Sequence, residues 1–163
     1  MDCLTLLSNA FSAGAGAFAG ALAAYFLACR QDKRRAIADY VTLLLLIYEH
    51  LDAVYKLLSN IPTDSVKEVN GEKVVVFTMP FPQFALTPQQ LQTLMEVSPD
   101  KQMPAALIQF KNFLTVHSQR IAKDGVNLLP LEYVRLQERQ LKFMLLSVRV
   151  QYEQQTNDAF PLE

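Results

Sequence analysis

AIADYVTLLLLIYEHLDAVYKLLSNIP, residues 36–62, decides the fold. Ile37, Val41, Leu44, Tyr48, Leu51, Tyr55 and Leu58 advance in steps of four and three, which puts one apolar stripe along a helix. Tyr40, Ile47, Val54 and Ile61 widen that stripe on one side. A stripe this broad suits the core of a helical bundle better than a two-stranded seam. No Gly or Pro interrupts residues 22–61, and Pro62 stops the helix because it lacks an N–H and clashes with the preceding turn. The dense run 41–48 is bracketed by Asp39 and Glu49, too short to cross a bilayer.

Upstream, residues 3–29 carry no charge, and Arg30, Lys33, Arg34 and Arg35 follow at once. A crossing helix needs about 20 such residues, which the sequence from Ala10 to Cys29 supplies. A cleaved signal would have a basic start and a shorter apolar core; here the start carries only Asp2. A lipoprotein signal ending at Cys29 would also want a basic start, and a Leu-like residue where Phe26 stands. The expectation is a retained transmembrane helix. Basic flanks stay on the cytoplasmic side, so the N-terminus is expected outside a cell inner membrane and the rest of the chain in the cytoplasm. The same four cations are expected at lipid headgroups, either as topology determinants or as contacts to anionic lipid. Cys29 is a candidate for acylation.

Within that run Ser12, Gly16, Gly20 and Ala24 recur every four residues, opposite Phe11, Phe18, Leu22, Tyr25 and Phe26. Small residues at this spacing let two helix backbones approach closely in lipid. Self-association through this face is the expected assembly mode.

Downstream, SVKEVNGEKVVVF (65–77) centres on Asn70-Gly71, the strongest short hairpin signal because both residues accept positive φ. The turn would set Val69 against Glu72 and Glu68 against Lys73, a pair of opposite charges. Met79-Pro80-Phe81-Pro82 ends the strand as a rigid loop or, less simply, a polyproline ligand without basic flanks. Thr87-Pro88-Gln89-Gln90 is a helix start: cap, Pro in the first turn, and Gln three positions after the cap. That short helix should end near Val97. A longer one should run from about 102 or 103 to 123, with Met103, Leu107, Phe110, Leu114, His117 and Ile121 on its inner face, ended by Asp124-Gly125. The last should cover about 130–155, with Val134, Leu141, Leu145, Val148 and Tyr152 inward and Glu138–Lys142 as an i,i+4 pair.

The expected fold is therefore mainly α: an N-terminal transmembrane helix continuing into a bundle of three long helices and one short, with a small β-hairpin. Residues 1–29 would form the tail and span, 30–155 the helical domain with its hairpin at 65–77, and 156–163 a frayed tail. If continuous, the first helix would reach roughly 45 Å beyond Arg30 at 1.5 Å per residue. The plan resembles that of small bacterial inner-membrane proteins with one N-terminal span and a helical cytoplasmic body, a likeness of architecture over residues 1–60 that brings no residue-specific motif.

Function classes narrow on the same grounds. The chain has 163 residues, 15 Lys and Arg, and 16 Asp and Glu. Every base lies at Arg30 or beyond with 15 of the acids, so the body is neutral, unlike a dedicated nucleic-acid binder. Both cysteines, Cys3 and Cys29, lie at the ends of the uncharged run, which leaves the body no disulfide framework, cysteine nucleophile or cysteine metal site. No phosphate loop, H-E-x-x-H, C-x-x-C or G-x-S-x-G is present. His50 and His117 lie on apolar faces of different helices, as core-edge histidines or as a shared pH-sensitive or metal pair. The expected function is a non-enzymatic, membrane-anchored interaction or scaffold module without cofactor. Its partners would be membrane lipid, a second copy or membrane protein, and a cytoplasmic protein, with no nucleic acid. A membrane-perturbing effector is the alternative, and an anchored enzyme a weaker one.

Overall fold

The helix that carries the quoted stretch, α1, runs Cys3–Ser59 in the computed structural model. Backbone is described for residues 3–82, 84 and 86–162, and side chains for residues 21–82, 84 and 86–162. The chain divides into two units, Met1–Ala38 and Asp39–Glu163.

In the first unit nearly every described side chain is exposed, including the large apolar Leu22, Tyr25, Phe26 and Leu27. This unit corrects the expected transmembrane span, and with it the inner-membrane placement with an outward N-terminus. Among the described residues no helix is long and apolar enough to cross a membrane. Side chains of the uncharged run are described for 21–29, nine residues before Arg30, about half of what a crossing helix requires.

In the second unit α1 supplies one wall of the core. Tyr40, Leu44, Ile47, Leu51, Val54 and Leu58 are buried there, while Val41, Tyr48 and Tyr55 are half-buried and Ile37 is exposed. The residues expected to widen the stripe, Tyr40, Ile47 and Val54, are thus its centre, because the bundle closes over that side of the helix. After a single 3-10 turn at Thr63–Ser65, β1 (Val66–Val69) and β2 (Glu72–Phe77) form the hairpin. The observed pairs include Val69 with Glu72 and Glu68 with Lys73. Asn70 and Gly71 sit at φ 54° and 82°, both left-handed, as the twist of a two-residue hairpin turn demands.

Three helices and a third strand complete the unit: α2 (Pro88–Val97), α3 (Met103–Asp124), β3 (Asn127–Pro130) and α4 (Leu131–Thr156). Thr87 caps α2 in a full capping box: its hydroxyl accepts from the Gln90 N–H, and the Gln90 side chain accepts from the Thr87 N–H. The fold is mainly helical with a small antiparallel sheet of order β1-β2-β3. The sequence reading had no β3. It pairs with β2 from Val74 with Pro130 to Phe77 with Asn127, turning the expected isolated hairpin into a sheet.

After β2, Phe81, Phe84 and Leu86 turn into the core. Phe81 is buried between the rings of Phe77 and Phe113, at 5.0 and 5.9 Å. Its N–H donates to the buried Ser118 hydroxyl at 3.0 Å. The two flanking prolines fix the backbone that presents it, consistent with the rigid-loop reading of this segment. The tail after α4, expected to fray, also packs: Phe160 is buried against Tyr48 and Tyr152, with ring centroids 4.4 and 5.2 Å apart. One late aromatic with two aromatic partners suffices to hold it.

A polar cluster lies inside the apolar core. Gln151 of α4 is buried, and its Oε1 accepts from the hydroxyl of Tyr40 on α1 and from Ser98 at 3.2 Å. Its Nε2 donates to Ser147 at 3.2 Å and to the Met103 sulfur at 3.1 Å. The Ser98 hydroxyl also lies 2.8 Å from the Asp100 carbonyl, so its single proton is shared between the two acceptors. Burial pushes the Tyr40 phenol above its ordinary pKa, which keeps it a donor.

Two stability predictions follow from these contacts. A Cβ at Gly71 meets no neighbouring atom within 4 Å, so the main cost of Gly71→Val is backbone strain at positive φ, of order 1–3 kcal/mol. Denaturant unfolding of the full chain should show that loss, and an unchanged midpoint would contradict the turn geometry. Gln151→Leu strands the buried Tyr40 hydroxyl, whereas Ser98 keeps the Asp100 carbonyl. It should cost more than Tyr40→Phe, which leaves the Gln151 amide its Ser98 bond: about 1–3 kcal/mol against about 0.5–1.5. The double variant should be less damaged than the sum of the two. Strict additivity in the same measurement would mean that the residues are not coupled.

Candidate interaction surface

Ser12, Gly16 and Gly20 lie outside the described side chains, and Ala24 is exposed. Arg30, Lys33, Arg34 and Arg35 are also exposed. The ion pairs among the described residues are Lys56–Asp52 at 2.6 Å and Arg149–Glu153 at 3.1 Å. The Glu138–Lys142 pair expected on α4 is absent from that set.

The two histidines keep separate partners. His50 donates from Nδ1 to the Leu46 carbonyl at 2.8 Å, and its ring meets Phe84 edge-on at 5.7 Å. His117 is buried beside Phe113, with centroids 4.6 Å apart, and Tyr133, at 6.4 Å. The buried Asn127 amide lies 2.9 Å from His117 Nδ1. With the imidazole neutral, that amide donates to Nδ1 and leaves the ring proton on Nε2. The bond ties β3 to α3. Burial first, and then the Arg120 guanidinium, lower the His117 pKa. Among the described residues no group of three His, Cys, Asp or Glu side chains could hold a metal ion.

The surface that the sequence reading missed is the outer face of α4. This helix has two apolar sets. Val134, Leu141, Leu145 and Val148 enter the core. Leu136, Phe143, Leu146 and Val150 recur in steps of seven, three and four on the other side, and all four are exposed. Phe143 is 73% exposed, a large cost in unburied apolar area for a ring of that size. Helical geometry aligns these residues along about 21 Å, at 1.5 Å per residue.

Two clefts border the stripe. One, of about 470 Å³, lies between α3 and α4 and is lined by Phe110, Phe113, Tyr133, Gln137, Phe143 and Met144 among others. The second, of about 430 Å³, is open toward Pro99 and Asp100 and includes Leu146 and Val150. The two edges of the stripe differ in charge. Toward α3 stand Tyr133, Gln140, Ser147 and Gln154, all neutral. Along the other edge run Arg135, Lys142 and Arg149, and Arg139 lies in the stripe one heptad before Leu146. Arg149 is paired with Glu153. Among the described residues Arg135, Arg139 and Lys142 have no carboxylate within 4 Å, although Glu138 shares their cleft with Tyr55. The signal was present in the sequence as a second heptad-like set on one helix, hidden because the inward set already accounts for the helix.

A depressed histidine pKa fixes a sign. Above the ordinary value, near 6.5, His117 is neutral both folded and unfolded and costs nothing. As pH falls from there toward the lower folded value, the unfolded chain takes the proton first and stability declines. Protonation also turns Nδ1 into a donor facing the Asn127 amide. His117→Gln should therefore lose less stability than the parent chain between about pH 7 and pH 5. Parallel curves from chemical denaturation would mean that His117 does not contribute to the acid sensitivity. No protein-family model, curated protein or solved structure matches the chain.

Proposed function

We propose that this chain is a non-catalytic helical interaction module that recognises another protein through the outer face of α4. The observation that carries this reading is the exposed stripe of Leu136, Phe143, Leu146 and Val150 beside the cleft between α3 and α4. Contiguous apolar residues rimmed by polar ones characterise interaction sites on folded proteins. A cleft lined by aromatics and Met next to an exposed ring gives a partner side chain somewhere to bury. The core beneath, with α4 tied to α1 through Gln151 and Tyr40, holds the face rigid, so binding need not order it first.

Because these residues touch little of the core, Phe143→Asp should change folding stability by no more than about 0.5 kcal/mol while removing association. A photo-crosslinking side chain at Leu146 should capture protein adducts in cells. The same probe at the exposed Gln119 of α3 should capture none, and Phe143→Asp should abolish the Leu146 adducts. Equal labelling from both positions, or none from Leu146, would overturn the assignment of this face.

A further inference from the structure

Resting on that reading, we infer that the occupant of the α4 face is an acidic amphipathic helix. The stripe has the length and periodicity of a helix seam: Leu136, Phe143 and Val150 at one heptad position and Leu146 at another. The cleft of about 470 Å³ beside Phe143 accepts one large apolar anchor, with Phe110, Phe113 and Met144 as walls. This is the helix-in-groove mode, read by anchors at i, i+3 or i+4, and i+7.

Charge selects the kind of helix. Arg135 and Lys142 flank the seam on one side, and Arg139 lies in the seam one heptad before Leu146. None of the three has a carboxylate within 4 Å among the described residues. The opposite edge of α4 carries the neutral Gln140, Ser147 and Gln154, with Asp100 beyond them. A helix that brings Glu or Asp to the first edge and polar or small residues to the second satisfies both. A second copy does not. Antiparallel pairing would set Arg135, Lys142 and Arg149 against the same row of the other copy. Parallel pairing would set that row against Gln140, Ser147 and Gln154, which carry no charge. A flat anionic lipid surface matches the cations but leaves the cleft between α3 and α4 unfilled.

The test uses the full chain and a helical peptide of about 20 residues with Leu along its seam and Glu along one flank. A second peptide has Lys in place of Glu. Titration followed by fluorescence anisotropy should show the acidic peptide binding more tightly by the roughly 3- to 100-fold that three exposed ion pairs supply. Added salt should reduce that difference. Arg135→Glu with Lys142→Glu should invert the preference, and Phe143→Asp should abolish binding of both peptides, with circular dichroism confirming the helical fold in each variant. Equal binding of both peptides, unaffected by the charge reversal but lost in Phe143→Asp, would overturn the acidic occupant and leave the docking face standing. Peptide binding that survives Phe143→Asp, or no binding at all, would overturn the helix-in-groove assignment. A concentration-dependent dimer dissociated by Phe143→Asp, or binding to vesicles of phosphatidylserine and phosphatidylcholine in place of the peptide, would replace the inferred occupant with a second copy or a lipid surface.

Discussion

Apolar contacts hold the second unit together, but they are non-directional and do not alone choose one register among its helices. The Gln151 cluster is directional. One side-chain amide takes hydrogen bonds from α1 and from the residue that ends α2, and gives them to α3 and to its own helix. Each partner arrives from a different element, so a slide of α4 by one turn would strand several buried groups together. Among the described residues no buried side-chain nitrogen or oxygen lacks a hydrogen-bond partner. That completeness makes the cluster a constraint rather than a weakness, since a half-satisfied polar core is worse than an apolar one. The orientation of α4, and with it the direction its outer face presents, depends on this arrangement.

A second, aromatic set performs the corresponding task where the sheet meets α3. Phe77 of β2, Phe81 of the loop and Phe113 of α3 follow one another in contact, and Phe113 continues to Phe110, His117 and Tyr133. The chain of rings leads from the sheet to the cleft beside α4. Phe110 and Phe113 therefore serve twice, as packing for the core and as the wall of the proposed docking groove, to which the exposed Tyr133 adds. The surface is an extension of the core rather than an addition to it.

Local chemistry was the most readable part of the sequence. Asn70-Gly71 set the hairpin register to the residue, and Thr87-Pro88-Gln89-Gln90 gave the start of α2 with both hydrogen bonds of its box. Six inner positions of α3, Met103, Leu107, Phe110, Leu114, His117 and Ile121, were legible because they carry apolar residues or His117 at helical spacing, but the buried Ser118 beside them was not. Where polar residues go inside, the reading failed. Asn127 occupies an inward position of β3, so the alternation of that four-residue strand looks broken until His117 is seen to accept from it. Gln137 and Gln151 were invisible as core for the same reason. The centre of the α1 stripe shifted because periodicity defines a face only to within about one residue, and the partners that choose its centre lie a hundred positions away. The outer face of α4 was overlooked for the opposite cause: its apolar residues were plain, but a helix with two apolar sides is read from one of them. The uncharged run before Arg30 suggested a membrane-crossing helix by its length and its basic flank, but among the described residues no helix is long and apolar enough to cross a membrane.

The small sheet has a consequence for how this protein avoids unwanted polymerisation. Strands with free edges can recruit strands from other molecules. Here the outer strands, β1 and β3, each carry a deterrent. β1 is four residues long, largely exposed, and bears Lys67 and Glu68, whose charges a flat stack of copies would crowd together. β3 is equally short and ends in Pro130, which has no N–H to offer a neighbour. Both outer strands of the sheet thus carry features that discourage pairing with another chain. A protein that displays a Phe on one helix and blocks its own strand edges has separated the surface on which it can be recognised from the surfaces on which it could fibrillise.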